Sequence, residues 1–179
     1  MTRALYIGRF QPFHLGHLHA LRWILERCDE VIIGVGSAQY SHRLDNVFTA
    51  GERIEMIRRV LVKEGVLDRC LIVPIPDIGQ HSLWVSVVLQ YCPRFDVVYT
   101  NEPLTRRLFI EAGFKVEEIP RFNRELYDAT RIRRLMAEGG DWESYVPSEV
   151  AAFIKEIGGV ERVRDLLRSD KAYAASPQP

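Results

Sequence analysis

The sequence predicts an α/β fold: a doubly wound, Rossmann-like parallel sheet of five strands, with helices on both faces and a short helical C-terminal region. Three observations predict it. Short apolar, β-branched runs alternate with longer amphipathic stretches. That alternation repeats four times, which implies right-handed crossovers and a parallel sheet covered on both sides. The chain has 179 residues, 47% apolar and 27% charged, so it can bury most of its unfolded surface in one well-cored domain.

In chain order, Leu5 to Ile7 reads as the first buried strand, followed by a helix over about Gly16 to Cys28. Val31 to Val35 is the second strand. Ala50 to Glu64 is the second helix, opened by the capping-box spacing Thr49-Ala50-Gly51-Glu52 and closed by Gly65, where a left-handed cap is wanted. Leu71 to Val73 and Ser82 to Tyr91 form the third pair. Val97 to Tyr99 leads to a helix over Pro103 to Ala112, with proline near its start and Gly113 beyond its end. Val116 to Ile119 is the fifth strand. Pro120 to Asp128 reads as a loop, and Gly139-Gly140 stops a helix over Thr130 to Glu138. Two short helices, Glu149 to Ile157 and Val160 to Leu167, are split by Gly158-Gly159. Residues 1–168 are expected to form one domain. Its helical appendage, 141–168, is too short for a core of its own and is expected to pack on the sheet or on another subunit. The tail 169–179 is small, polar and proline-containing, and is expected to be disordered.

Charge and cysteine content exclude several classes. There are 24 basic and 24 acidic side chains, and a net charge of zero excludes a uniformly basic nucleic-acid binder. Twenty of the basic residues are Arg and four are Lys. GC-rich codon usage is the weightier reading of that excess, and a need for planar, forked donors that grip phosphate is the sharper alternative. Cys28, Cys70 and Cys92 are odd in number and lack C-x-x-C spacing, against a disulfide framework or a zinc site. The N-terminus reaches Gly8-Arg9 before a signal-peptide core forms, and no apolar run approaches the ~18 residues of a membrane helix. A soluble cytoplasmic protein is expected.

In an open α/β sheet the ligand site lies beyond the carboxyl ends of the strands. The first strand exits into Gly8-Arg9-Phe10-Gln11-Pro12-Phe13-His14-Leu15-Gly16-His17. Gly8 allows close backbone approach, and Arg9 offers a forked cation beside it. His14 and His17 share a face at a helix start, where free N–H groups and the dipole favour an anion. Together they describe a phosphate cradle. A lone histidine there is more often a cap, but two with an intervening glycine after the first strand reverse that balance. Two imidazoles without a third ligand make a poor metal signature, so no protein-held metal is expected. The G-x-x-x-x-G-K-[ST] loop is absent, and Gly34-Val35-Gly36 is not completed to G-x-G-x-x-G.

Gly8 to His17 resembles the H-x-G-H motif of the nucleotidyltransferase superfamily. Asp128-Ala129-Thr130-Arg131-Ile132-Arg133-Arg134 resembles its second signature, with Thr130 and Arg133 in the matching places. Gly36-Ser37-Ala38-Gln39, Phe48-Thr49-Ala50-Gly51-Glu52-Arg53, Asp77-Ile78 with Trp84-Val85, Val98-Tyr99-Thr100-Asn101 and Asp141-Trp142 are similar to the archaeal nicotinamide-mononucleotide adenylyltransferase family. The likeness runs from residue 3 to about 167. Two positions depart from it: Val47 replaces the proline of Asn-Pro-Phe-Thr, and His81 replaces an asparagine three residues before the tryptophan.

The resemblance implies transfer of the adenylyl group of ATP to the 5′-phosphate of nicotinamide mononucleotide, giving NAD and pyrophosphate. It implies Mg²⁺ bound mainly through the ATP phosphates, and a homo-oligomer. His14, His17, Arg9 and Arg133 would be catalytic, and Gly8, Phe10, Gly16 and Thr130 would bind ATP or its phosphates. Trp84, Asp77, His81 and Asn101 would bind the mononucleotide. Structural roles stand beside these: Trp84 as a core anchor like Trp23 and Trp142, Asp77 as a loop cap, and Asn101 as a cap of the following helix. Arg131 and Arg134 read as a solvated face, and Arg53 has no assigned role. Two alternative functions remain. One is the same transfer to phosphopantetheine, a flavin mononucleotide or a sugar phosphate, and the other is a nucleotide-binding regulator without turnover.

Overall fold

The structure, a computed structural model, describes residues 1–169, so most of the tail expected to be disordered lies outside the described residues. Strands β1 (Arg3–Gly8), β2 (Glu30–Val35), β3 (Cys70–Pro74), β4 (Val97–Tyr99) and β5 (Lys115–Glu117) form one all-parallel sheet in the order β3-β2-β1-β4-β5. The strand order reverses at β1, so the exits of β1, β2 and β4 surround the switch point.

Alternation along β1 sets the two cores. Ala4 and Tyr6 face one side, in a cluster with α1 (Leu15–Leu25) and α2 (Ala50–Glu64). Leu5 faces the other side, with Val85 and Val88 of α3 (His81–Tyr91) and Phe109 of α4 (Pro103–Glu111). The caps legible in the sequence are formed. Thr49 Oγ1 accepts from the Glu52 N–H at 3.0 Å and Glu52 accepts in return from the Thr49 N–H at 2.9 Å. Gly65 closes α2 at φ +70°, a left-handed conformation that disfavours any side chain.

Two elements end two or more residues short of expectation. Helix α1 ends at Leu25 rather than Cys28, because the chain turns there so that Asp29 meets the Thr2 backbone before β2. Strand β5 ends at Glu117 rather than Ile119. The Ile119 backbone pairs with the Asn101 side chain, whose amide donates to its carbonyl at 2.7 Å and accepts from its N–H at 2.8 Å.

Helix α5 (Ala129–Glu138) follows the loop after β5. Helices α6 (Ser148–Glu156) and α7 (Gly159–Arg168) then pack on α2 and α5 of the same chain, outside the sheet layer. Trp142, Val146, Val150, Ile154 and Val163 join the same core as β1. Arg162 of α7 binds both Glu52 oxygens, at 2.7 and 2.8 Å, tying α7 to the start of α2.

Candidate functional site

The exits of β1 and β2 and the first turns of α1 and α5 meet around three adjoining cavities. The central one, of about 410 Å³, is lined by Arg9, His14, His17, Asp128, Thr130 and Arg133. On the β4–β5 side a cavity of about 280 Å³ is lined by Thr100, Asn101, Ile119 and Phe122, and shares His14, His17, Arg124 and Tyr127 with the central one. On the β3 side a third, of about 390 Å³, is lined by Ser37, Asp77, His81 and Trp84 and shares Arg9 with the centre.

The histidine pair has a defined hydrogen-bonding state. His14 is the N-cap of α1 and His17 its third residue. His14 Nδ1 accepts from the His17 N–H at 3.3 Å, and His17 Nδ1 accepts from the His14 N–H at 3.0 Å. This is a capping box built from two imidazoles, whose rings stack at 3.6 Å. A neutral imidazole that accepts at Nδ1 carries its proton on Nε2, so each ring keeps one N–H donor for a ligand. Burial keeps both neutral. It pushes His14 down to about 4 despite the opposing Asp128 carboxylate, and it holds His17 well below its ordinary value, with His14 adding to the effect.

The glycines of the motif serve the side chains around them. A Cβ at Gly16 would lie 2.9 Å from the His14 ring and 2.9 Å from Tyr127 Cβ. A Cβ at Gly8 would lie 2.8 Å from the Phe10 ring, so Gly8 makes room for that ring, a role the sequence reading gave to a ligand. Phe10 is buried in turn, edge-on to Tyr6 and to His17 at 4.8 Å, and supports the histidine pair from beneath.

Two arginines frame the centre. Arg133 donates to the Gln11 carbonyl at 2.8 Å and lies 3.4 Å from Thr130 Oγ1. Burial and the nearby Arg9 guanidinium lower its pKa from the usual arginine value. Asp128 caps α5 through the Thr130 N–H at 3.1 Å. The half-exposed Arg9 guanidinium lies 4.0 Å from Asp45 at the seam of two cavities. Two helix N-termini, two neutral N–H donors and two guanidiniums thus converge on a polar hollow suited to phosphate.

On the β3 side, Trp84 packs edge-on against Phe109 at 5.9 Å while also lining the cavity, so its anchoring role is compatible with a ligand-facing one. Among the described residues Asp77 caps no backbone N–H of its loop with its carboxylate. Its carboxylate accepts from Ser37 Oγ at 2.6 Å, and its backbone pairs with the Gln39 amide. His81 lies on the same cavity, at the start of α3.

Asn101 is placed elsewhere. Its amide is held at both ends by the Ile119 backbone, it lines the β4–β5 cavity rather than the Trp84 one, and Glu102 is the residue that caps α4. Sequence reasoning missed Arg124 and Tyr127, which line both the central and the β4–β5 cavities. A basic and an aromatic side chain in the loop before α5 were the available signal. It also left Arg53 unassigned. Arg53 is fully buried beneath the β1 and β2 exits.

Residues 5–135 match the cytidylyltransferase-like family. The chain is 53% identical over 172 residues to the nicotinamide-nucleotide adenylyltransferase of Archaeoglobus fulgidus, covering 94% of this chain and 99% of the relative. It is 52% identical to the protein of that name from Saccharolobus solfataricus, covering 96% and 100%. Among solved structures, a bifunctional NMN adenylyltransferase/ADP ribose pyrophosphatase from Francisella tularensis, complexed with AMP and a manganese ion, superposes with a TM-score of 0.73 at 20% identity. It covers 98% of this chain and 56% of that one. A putative nicotinate-nucleotide adenylyltransferase from Vibrio parahaemolyticus gives a TM-score of 0.62 at 19% identity, over 90% of this chain and 96% of that one. At these identities the structural likeness concerns the fold.

Proposed function

We propose that this chain, which belongs to the cytidylyltransferase-like family, transfers the adenylyl group of ATP to the 5′-phosphate of nicotinamide mononucleotide, giving NAD and pyrophosphate. One observation carries the reading at the level of the site. Three cavities lie in a row, with the polar one in the middle and an aromatic-lined one at each side. That is the layout of a dinucleotide: two nucleosides joined by a diphosphate. The nicotinamide end belongs with Trp84, the phosphates with the helix N-termini, and adenosine with Tyr127 and Phe122 on the β4–β5 side.

The mononucleotide phosphate is itself the nucleophile. One of its oxygens attacks the α-phosphorus of ATP, the bond to the bridging oxygen of the β-phosphate breaks, and pyrophosphate leaves. No covalent enzyme intermediate is required. The protein's work is positioning and charge stabilisation. Arg9 sits at the seam where the attacking phosphate meets the triphosphate and offsets repulsion between the two anions. His14 and His17 donate from Nε2, and Arg133 holds phosphate oxygens from the α5 side.

Among the described residues no group of three or more His, Cys, Asp and Glu is placed to hold a metal ion. The donor set therefore does not fit a protein-held metal, and Mg²⁺ enters as part of the MgATP substrate, keeping its waters. Asp45 and Asp77 line the Trp84 cavity together with Arg9. Their charges favour a neutral carboxamide over a carboxylate on the pyridine ring.

Among the described residues no helix is long and apolar enough to cross a membrane, and the three cysteines are unpaired. Both features support assignment to the cytoplasm. Purified protein with MgATP and nicotinamide mononucleotide should form NAD and pyrophosphate, faster than with nicotinic acid mononucleotide, phosphopantetheine or a flavin mononucleotide. No NAD above a heat-killed control would overturn the reading.

A further inference from the structure

Arg53 is a buried cation without a carboxylate partner among its hydrogen bonds. Its side chain has no solvent exposure, and among the described residues its guanidinium donates only to backbone carbonyls: Thr49 at 3.2 Å, Arg9 at 2.8 Å, Gly36 at 2.7 Å and Ser37 at 3.1 Å. Burying a charge in this way is costly unless it is fully hydrogen-bonded. Thr49 lies in its own helix turn, but the other three carbonyls belong to the exits of β1 and β2. Those are the two chain segments that meet at the seam between the central and the Trp84 cavities.

The backbone there adopts conformations that side chains disfavour. Phe10, directly after Arg9, has φ +54°, and Ser37, directly after Gly36, has φ +50°. In a trans peptide the N–H lies opposite the carbonyl. Holding the Arg9 and Gly36 carbonyls against Arg53 therefore turns the Phe10 and Ser37 N–H groups to the far side. Neither N–H has a hydrogen-bond partner among the described residues. Phe10 lines the central cavity and Ser37 the Trp84 cavity.

We propose that Arg53 is a positioning residue for adenylyl transfer: by gripping the Arg9, Gly36 and Ser37 carbonyls from beneath, it aims the Phe10 and Ser37 N–H groups, and the Arg9 side chain, at the reacting phosphates. The proposal rests on the adenylyl-transfer reading. A lysine keeps the charge, but its single ammonium cannot reproduce a planar fork across three carbonyls from two strands. Arg53 remains charged near neutrality, since burial and the nearby Arg9 lower its pKa only to about 10.

The test has two arms. In the first, Arg53→Lys and Arg53→Met are compared with wild type by thermal midpoint, kcat and KM. Folded Arg53→Lys should lose at least about tenfold in kcat while each KM changes less than about threefold, and Arg53→Met should lose more. A folded variant at this position with kcat within about twofold of wild type overturns the proposal. The second arm needs no variant and decides the matter if both fail to fold. In ¹⁵N-labelled wild-type protein, the Phe10 amide proton should move downfield on saturation with ATP, and that of Ser37 on saturation with nicotinamide mononucleotide. Amides that stay in place at saturation overturn the positioning role even if NAD is made. A wild-type protein that binds both ligands and moves both amides, yet makes no NAD, overturns the function, and with it positioning for that transfer, while the aiming of the two N–H groups at bound ligand is upheld. Failure to bind either ligand overturns both.

Discussion

Acidifying the protein from pH 7 to 4 should destabilise it through the histidine pair, before most carboxylates are protonated. An unfolded histidine titrates near its ordinary 6.5, whereas burial holds His14 in the folded state down to about 4. Between those values the unfolded chain binds a proton that the native chain excludes, so stability is full above about 6.5, falls as pH drops, and levels off below about 4. The span corresponds to about 3 kcal/mol for His14 alone. His17, displaced in the same direction, adds to it.

The physical source is specific. Both Nδ1 atoms already accept a backbone N–H, so protonating either ring breaks one arm of the cap, and protonating both leaves two cations with centroids 3.6 Å apart. Urea unfolding across this range, on wild type and on His14→Asn, isolates the effect, because asparagine still accepts at an N-cap but does not titrate. The wild-type curve should be steeper between pH 6.5 and 4.5 by roughly 2–3 kcal/mol. Equal slopes, or a His14 ring-proton titration with a midpoint near its ordinary value, would refute the reasoning.

Three further outcomes are expected. His17→Ala removes one neutral N–H donor and should lower kcat by roughly 10²–10³-fold; a loss under about threefold at unchanged KM would take it out of the chemistry. Gly16→Ala puts a methyl 2.9 Å from both the His14 ring and Tyr127. It should cost about 1–3 kcal/mol in urea unfolding, although alanine is otherwise the better helix residue. Trp84→Ala should raise KM for nicotinamide mononucleotide with little change in KM for ATP, and equal effects on both would mark Trp84 as an anchor alone.

Much of this protein is legible in its local chemistry. Helix α2 runs over the residues that Thr49, Glu52 and Gly65 mark out, because capping and a left-handed stop depend on neighbours in sequence. Strand–helix alternation implied the doubly wound parallel sheet, and the H-x-G-H string with the Thr130–Arg133 element marked both helix starts that line the central cavity.

What escaped depends on contacts across the chain. Asn101 looked like a ligand residue or a cap, but Ile119, 18 residues on, takes both ends of its amide. Gly8 reads as open backbone until Phe10, turned left-handed, fills the space above it. The neutral state of His14 and His17 follows from burial, which a sequence does not print. Arg53 looked like one more helix arginine because its partners are carbonyls, and every residue has one. By itself the sequence determined the elements, their order and the residue types available for phosphate. Tertiary structure decided which of those side chains face the cavities and which support them. The direction of a carbonyl and the burial of a ring are properties of packed chains, not of neighbours in sequence.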